Sequence, residues 1–463
     1  MPSTSPARQL ESDAILTAAR RIVAEETAVF ISRRSRSKEI FAAPSSGFFD
    51  QVPQYWMRDW PMPFPVVVAK ASGSEVWDID GNHVIDFCLG DSGAMFGHGP
   101  QPILNALAGA ANHGLTTMLP SNDLDAVGNL LRSTFGMSKW QVTTTASDAN
   151  RFALRVARAV TGRKKILVFD GCYHGAVDET LVDLVDGQTV PRGGLIGQAV
   201  DLSETTVCIP FNDVPALEAA LKGGDIACVV AEPVMTNCGM ILPHPGFHKA
   251  LRDLTRATGT LLHIDETHTV STGYGGYSKV HGLEPDIFIV GKPVGGGIPV
   301  AVWGMTDDVA SRLDAARAAV TGTGHSGIGT TLSGSALQLA CLRACLEEVM
   351  TAETYAKMNR LADIVEEGFS AVIKQYNLPW HVGRVGARLE VVFSPDPVQN
   401  AAEAKAAANS TIQKALHSAF LNLGYLVTPF HNMVLVAPTT SEANVAGLVA
   451  SFEKILHRMT EAA

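Results

Sequence analysis

The stretch Leu261-Leu262-His263-Ile264-Asp265-Glu266-Thr267-His268 sets the fold. Its first half is a short, mainly apolar run, which reads as a strand buried on both faces, and its second half is polar and acidic. Phe247–Ala257, just before it, carries helical spacing. Beyond it, Ile287-Phe288-Ile289-Val290 is another apolar run, ending in Gly291-Lys292-Pro293 and then Gly295-Gly296-Gly297. Asn150–Val160 reads as a helix, and Ile166–Phe169, Ala227–Ala231 and Val300–Trp303 read as further strands. Short apolar strands alternating with helices predict an α/β fold with a mostly parallel sheet covered on both faces. Ligands of such sheets sit beyond the carboxyl ends of the strands. Asp265 and Lys292 emerge there.

An acid and a lysine at two strand ends can be no more than a salt bridge. Lys292, however, lies between a buried strand and three glycines. Buried lysine is rare without a role, and glycine lets backbone approach a ligand closely. A desolvated lysine amine can form a Schiff base with a carbonyl. Upstream, Thr143-Thr144-Thr145-Ala146-Ser147-Asp148-Ala149 leads into the helix at 150. Small hydroxyl residues in that place either cap the helix or cup a phosphate. The strand Ile166–Phe169 ends in Asp170-Gly171-Cys172-Tyr173-His174-Gly175, where Tyr173 either stacks on a flat ring or fills the core. Pyridoxal 5'-phosphate needs this set: a lysine for its aldehyde, a carboxylate for its pyridine nitrogen, a phosphate cup and a ring platform.

Composition bounds the alternatives. Across 463 residues, Asp and Glu (46) outnumber Lys and Arg (36), giving a net charge of -10 that disfavours nucleic-acid binding. No apolar run approaches the ~18 residues of a membrane helix, and no secretory leader is legible, so a cytoplasmic protein is expected. Seven scattered cysteines make no disulfide framework. No histidine and cysteine grouping has metal-ligand spacing, so no metal is expected. Leu10–Ile31 reads as an amphipathic helix, and Arg33-Arg34-Ser35-Arg36 as its solvated end. Residues 44–65 hold Pro44, Phe48, Phe49, Pro53, Tyr55, Trp56, Trp60, Pro61, Pro63 and Pro65, which exclude a long helix and predict a segment draped over the body or over a partner subunit. Asp80-Gly81-Asn82 is a hairpin turn between two short strands. Thr321–Gly327 reads as a glycine-rich loop. After about residue 335 a long helix, two strand regions and a terminal helix describe a smaller α+β unit.

An ordered series of motifs carries a family resemblance. It runs Val76-Trp77-Asp78-Ile79-Asp80-Gly81, Gly97-His98-Gly99, Arg155-Val156-Ala157-Arg158 with Thr161-Gly162-Arg163, Gly171-Cys172-Tyr173-His174-Gly175 and Pro210-Phe211-Asn212-Asp213. It continues with Ala231-Glu232-Pro233-Val234, Asp265-Glu266, Leu283-Glu284-Pro285-Asp286, Gly291-Lys292 and Thr331-Leu332-Ser333-Gly334. The series resembles the class III aminotransferases among fold type I pyridoxal-phosphate enzymes, and most closely their glutamate-1-semialdehyde aminomutase-like branch. The resemblance implies a mostly parallel seven-stranded sheet with a smaller α+β domain. It also implies an arm over 1–75, a large cofactor-binding domain over 76–335 and a small domain over 336–463. Lys292 would hold the internal aldimine, Asp265 would pair with the pyridine nitrogen and Tyr173 would stack on one ring face, with Thr267 on the other. Ala146 and Ser147 would bind the phosphate, and Glu232 would support the ring oxygen. Thr331 would reach the phosphate of a neighbouring subunit in a homodimer or a dimer of dimers.

The chain departs from this pattern in places. Thr145-Ala146-Ser147-Asp148-Ala149 stands where the family reads Ser-Gly-Thr-Glu-Ala, and Thr267 stands where valine is usual. Its hydroxyl either tunes the ring or bonds to nearby backbone. His268 has no family role and reads as structural. At the substrate end, Pro53-Gln54-Tyr55-Trp56-Met57-Arg58 replaces a Val-Asn-Ser-Pro-Val-Arg-like stretch, and His431 replaces a glutamate. Tyr55, Trp56 and His431 point to a bulkier or aromatic amine, Arg58 can still bind a carboxylate, and Arg388 is either a second carboxylate partner or an ion-pair partner of Glu390 or a neighbour. The expectation is therefore an aminotransferase moving an amino group from a small-molecule amine to a keto acid or aldehyde. An aminomutase or racemase with the same cofactor is the alternative, and a catalytically silent protein of this fold is the rival from another class.

Overall fold

Seven strands build the central sheet: β1 (Lys139–Thr143), β2 (Lys165–Phe169), β3 (Thr206–Ile209), β4 (Ile226–Ala231), β5 (Leu261–Asp265), β6 (Ile287–Val290) and β7 (Ala301–Met305). In the computed structural model, which describes residues 6–42, 47–320, 322 and 324–461, their order is β1-β7-β6-β5-β4-β2-β3. Strands β2 to β6 run parallel, with His263 of β5 facing Val230 of β4 and Ile287 of β6. Strand β7 runs antiparallel to both its neighbours. Every residue of β4, β5, β6 and β7 is buried. These strands therefore read as apolar runs without alternation, broken only by His263 and Asp265 of β5. The order places the ends of β5 and β6 side by side, with that of β4 next to β5, so Asp265, Lys292 and Glu232 emerge on one edge.

The chain divides into two units. One comprises Met1–Asp91, Lys357–Pro397 and Ala407–Ala463; the other comprises Ser92–Ala356 and Val398–Ala406 and contains the seven-stranded sheet. The division expected at residues 76 and 336 differs from this one, for packing reasons. Val76 and Val84 of the hairpin pack with Phe30, Phe64 and Leu421 of the first unit. Helix Ala336–Ala344 is tied to the second, where Gln338 Nε2 donates to the carbonyls of Pro299 (3.0 Å) and Thr143 (3.5 Å). The first unit has its own sheets: a four-stranded one that includes the predicted hairpin, and a three-stranded one formed by His381–Val385, Arg388–Val392 and Val434–Leu435.

Arg34 corrects the solvated reading of the basic cluster. It is fully buried, stacks over Phe30 at 4.6 Å and pairs through Nε with Asp78 Oδ2 at 3.1 Å. A charge run is solvated only where no acid is buried beneath it, and the partner, Asp78, lies far away in sequence. Within the aromatic segment Phe48, Phe49, Tyr55 and Trp56 are exposed, whereas Val52 and Phe64 are buried. Pro44, Thr321 and Thr323, named in the sequence reading, lie outside the described residues. None of the seven cysteines forms a disulfide. No helix among the described residues is long and apolar enough to cross a membrane.

Candidate active site

A cavity of about 300 Å³ opens at the carboxyl edge of the sheet, lined entirely by the second unit. Thr144, Thr145, Ala146 and Ser147 form one side, Tyr173, His174 and Gly175 another, and Glu232, Asp265, Thr267, His268 and Lys292 the floor. Ile298, Pro299 and Val300 add apolar surface to the lining.

Asp265, at the tip of β5, is held by three donors. Asn150 Nδ2 (3.0 Å) and His174 Nδ1 (3.1 Å) reach Oδ2, and the Thr267 amide (3.1 Å) reaches Oδ1. Burial pushes the carboxyl pKa up, but the hydrogen bond and charge of His174, with Thr267 and Asn150, outweigh it and hold Asp265 well below the usual carboxylate range. Burial acts on His174 in the opposite sense; contacts with Cys172 and Asp265 overcome it and raise the imidazole well above its usual range. Each group thus favours the charged form of the other, inside a buried wall. Asn150 and His174 were quoted in the sequence only as part of a helix and of a motif. His174 carried a signal, a titratable residue in the loop that follows a strand end. Asn150 carried none, because its place beside Asp265 depends on how a helix docks on the sheet.

Lys292 follows β6 with φ of 45°, in the left-handed region that non-glycine residues rarely occupy. It is half-buried. Its Nζ lies 2.5 Å from His268 Nε2. The Thr267 hydroxyl accepts from the Gly291 amide at 3.3 Å, which ties β5 to the turn after β6. Glu232 is buried, which pushes its carboxyl up in pKa, and it accepts from the Thr236 hydroxyl (2.5 Å), the Thr236 amide (3.3 Å) and Asn237 Nδ2 (3.2 Å). Sequence reasoning read His268 as structural and passed over Thr236; the two stand together beside Glu232. Glu266 turns instead to the Thr269 hydroxyl and the amides of Tyr277 and Ser278, and so serves the scaffold.

The opposite wall is the start of helix α1 (Ala146–Thr161). Thr145 caps it, accepting from the Asp148 amide at 3.1 Å. Ala146 and Ser147 stand in the first turn, where amides have no intrahelical acceptor and the helix dipole favours an anion. Ser147 Oγ accepts from the Ala176 amide at 3.0 Å, which leaves its own proton for a ligand. Two glycines keep this wall in place. A Cβ on Gly175, whose φ is +84°, would stand 2.2 Å from Ser147 Oγ, and one on Gly291 would stand 2.8 Å from the Ala146 Cβ. Anion cup, ionised acid, lysine amine and the exposed ring of Tyr173 share one small cavity, and this donor set fits pyridoxal phosphate.

Thr331 is exposed and outside the lining of this cavity. The expected substrate residues all belong to the other unit. Tyr55, Trp56 and Arg58 form an exposed turn, with Arg58 over the Phe41 ring at 5.8 Å. Arg388 is fully buried and lies 3.6 Å from Asp91. His431 joins the same cluster; burial lowers its pKa to about 4, Asp91 opposing and Arg388 assisting.

Comparison with known proteins agrees with this chemistry. A model of the class-III aminotransferases matches residues 57–456. Glutamate-1-semialdehyde 2,1-aminomutase of Anaeromyxobacter dehalogenans (strain 2CP-1 / ATCC BAA-258) is 33% identical over 395 residues, 84% of this chain and 89% of that one. The crystal structure of a glutamate-1-semialdehyde-aminomutase from Pseudomonas aeruginosa PAO1 shares 44% identity at a TM-score of 0.94, covering 96% of this chain and 99% of that chain. A β-phenylalanine aminotransferase from Variovorax paradoxus, at 22% identity and a TM-score of 0.83, shares the fold. With a family match spanning most of the sequence and a cavity that offers each end of the cofactor its partner, this chain belongs to the class-III aminotransferases, enzymes of fold type I that depend on pyridoxal phosphate.

Proposed function

We propose that this enzyme is an aminomutase, which shifts an amino group between adjacent carbons of a small amino aldehyde bearing a carboxylate, of the glutamate-1-semialdehyde kind. The aminomutases it resembles along most of its length carry this reading over the sequence-based expectation of transfer from a bulky amine. The small cavity, with an anion cup at one side and a lysine and acid at its floor, supports it. Bound pyridoxal phosphate supplies an aldehyde that condenses with amines and a ring that takes up electrons from the carbon beside the nitrogen. Asp265, kept ionised by His174, holds a proton at the ring nitrogen. Lys292 would be the amine that yields to the substrate nitrogen, and its free Nζ would move the proton of the reacting carbon. The first turn of α1 would hold the phosphate, and Ile298, Pro299 and Val300 add apolar surface to the cavity.

Intermolecular transfer is the second reading, favoured by Tyr55 and Trp56 in place of small residues and by His431 beside Arg388. We also propose a homodimer in which the exposed Thr331 serves the partner subunit's phosphate site. The deciding experiment supplies glutamate-1-semialdehyde and pyridoxal phosphate with no second substrate, and follows the carbon bearing nitrogen by NMR. Formation of an isomer of equal mass with nitrogen on C1 is expected. Nitrogen appearing only on an added keto acid would replace the mutase reading with the transaminase.

A further inference from the structure

Behind the lysine, a line of hydrogen bonds runs to a buried acid. Lys292 Nζ meets His268 Nε2 at 2.5 Å, His268 Nδ1 meets Thr236 Oγ1 at 2.6 Å, and Thr236 Oγ1 donates to Glu232 Oε2 at 2.5 Å. Glu232, Thr236 and His268 are each more than nine-tenths buried. The direction of the line follows from proton counting. Glu232 receives three donors, so its oxygens act as acceptors. A hydroxyl has one proton, and Thr236 gives its own to Glu232; it must therefore accept from His268 Nδ1–H. That assigns the tautomer of the neutral imidazole: Nε2 carries a lone pair, and the lone pair faces the lysine amine.

We propose that His268 is the proton-exchange partner of Lys292, backed by Thr236 and Glu232. The inference rests on the reading that Lys292 is the amine that condenses with the cofactor aldehyde. Lysine must be neutral to attack a carbonyl or to take a proton from carbon, yet its free form is an ammonium. In the exchange one Nζ–H bond breaks, its electron pair stays on Nζ, and a new N–H bond forms at His268 Nε2. The imidazolium keeps Nδ1–H toward Thr236, and the Glu232 carboxylate, 4.0 Å from Nδ1, balances its charge. The reverse step returns the proton. Asp265 and His174, paired with each other at 3.1 Å, also act on Glu232 through their charges.

The test is capture of the cofactor rather than turnover. Full-length chain freed of cofactor is mixed with pyridoxal 5'-phosphate, and the rise of visible absorbance is timed from pH 6 to pH 10 for wild type, His268→Gln and His268→Ala. Glutamine keeps polar bulk but takes no proton, so capture by His268→Gln is expected to slow by about 10²-fold at neutral pH, the lower end for a positioned acid or base. The deficit should close as alkali supplies a base in place of the imidazole. Added imidazole should accelerate His268→Ala in proportion to its concentration and leave wild type unchanged, an effect that packing alone cannot produce. Capture by His268→Gln as fast as wild type at neutral pH overturns the inference. So does slow capture that neither alkali nor imidazole restores. A wild-type chain that develops no visible band at all would fail the cofactor assignment itself.

Discussion

Replacing His263 by leucine should stabilise this enzyme, and more so in acid. His263 lies in the middle of β5, fully buried, and neither ring nitrogen has a hydrogen-bond partner among the described residues. Burial lowers its pKa to about 3, with Asp265 opposing. The folded pKa thus lies below the unfolded value of about 6.5, so between those limits only the unfolded chain binds the proton. Stability is intact above about pH 6.5 and is lost as the pH falls toward 3. At pH 5, about 1.5 below the unfolded midpoint, the loss is about 2 kcal/mol, and at pH 8 it vanishes. Leucine has no such term. It also removes the cost of burying unsatisfied ring nitrogens, about 1–3 kcal/mol at every pH, and it suits a strand apolar on both sides. Unfolding entropy of about 2.1 cal/mol/K per residue converts 2 kcal/mol to about 2 °C for a chain of this length. Calorimetry of the cofactor-free chain should show the gain in Tm of His263→Leu over wild type to be about 2 °C larger at pH 5 than at pH 8. Equal gains at both pH values would refute the assignment of a neutral, proton-starved histidine.

Three further outcomes follow from the geometry. Gly175→Ala places a Cβ against Ser147 and forces a left-handed alanine, costing about 1–2 kcal/mol; the displaced Ser147 should weaken pyridoxal-phosphate affinity by about tenfold, read by absorbance titration, and an unchanged affinity would remove Ser147 from the phosphate site. Lys292→Ala should abolish turnover while leaving the melting profile close to wild type, and retained steady-state turnover would sink the assignment of the reacting amine. Arg34→Met leaves Asp78 charged and buried and should destabilise by about 3–5 kcal/mol, seen as a fall of several degrees in Tm, whereas the double variant with Asp78→Asn should recover part of the loss.

What the sequence alone determined is the frame and the two strand-end groups, Asp265 and Lys292, proposed to act on the cofactor. Strands buried on both faces are mainly apolar, so β4, β5 and β6 were visible as runs, and Asp265 at the tip of β5 and Lys292 just beyond β6 stood out by contrast. The hydroxyl-rich start of α1 and the tyrosine after β2 were legible for the same local reason. Tertiary structure alone decided the rest. The antiparallel direction of β7 leaves no mark in an apolar run. The division of the chain follows packing partners such as Val76 with Phe30, which lie far apart in sequence. Arg34 is buried because Asp78 waits beneath it. Above all, Asn150 and His174 on Asp265, and Thr236 and His268 behind Lys292, come from different strand ends and from a helix. The crossovers of a parallel sheet bring those ends to one edge, and hydrogen bonds a few ångströms long between residues many positions apart exist only once that edge has formed.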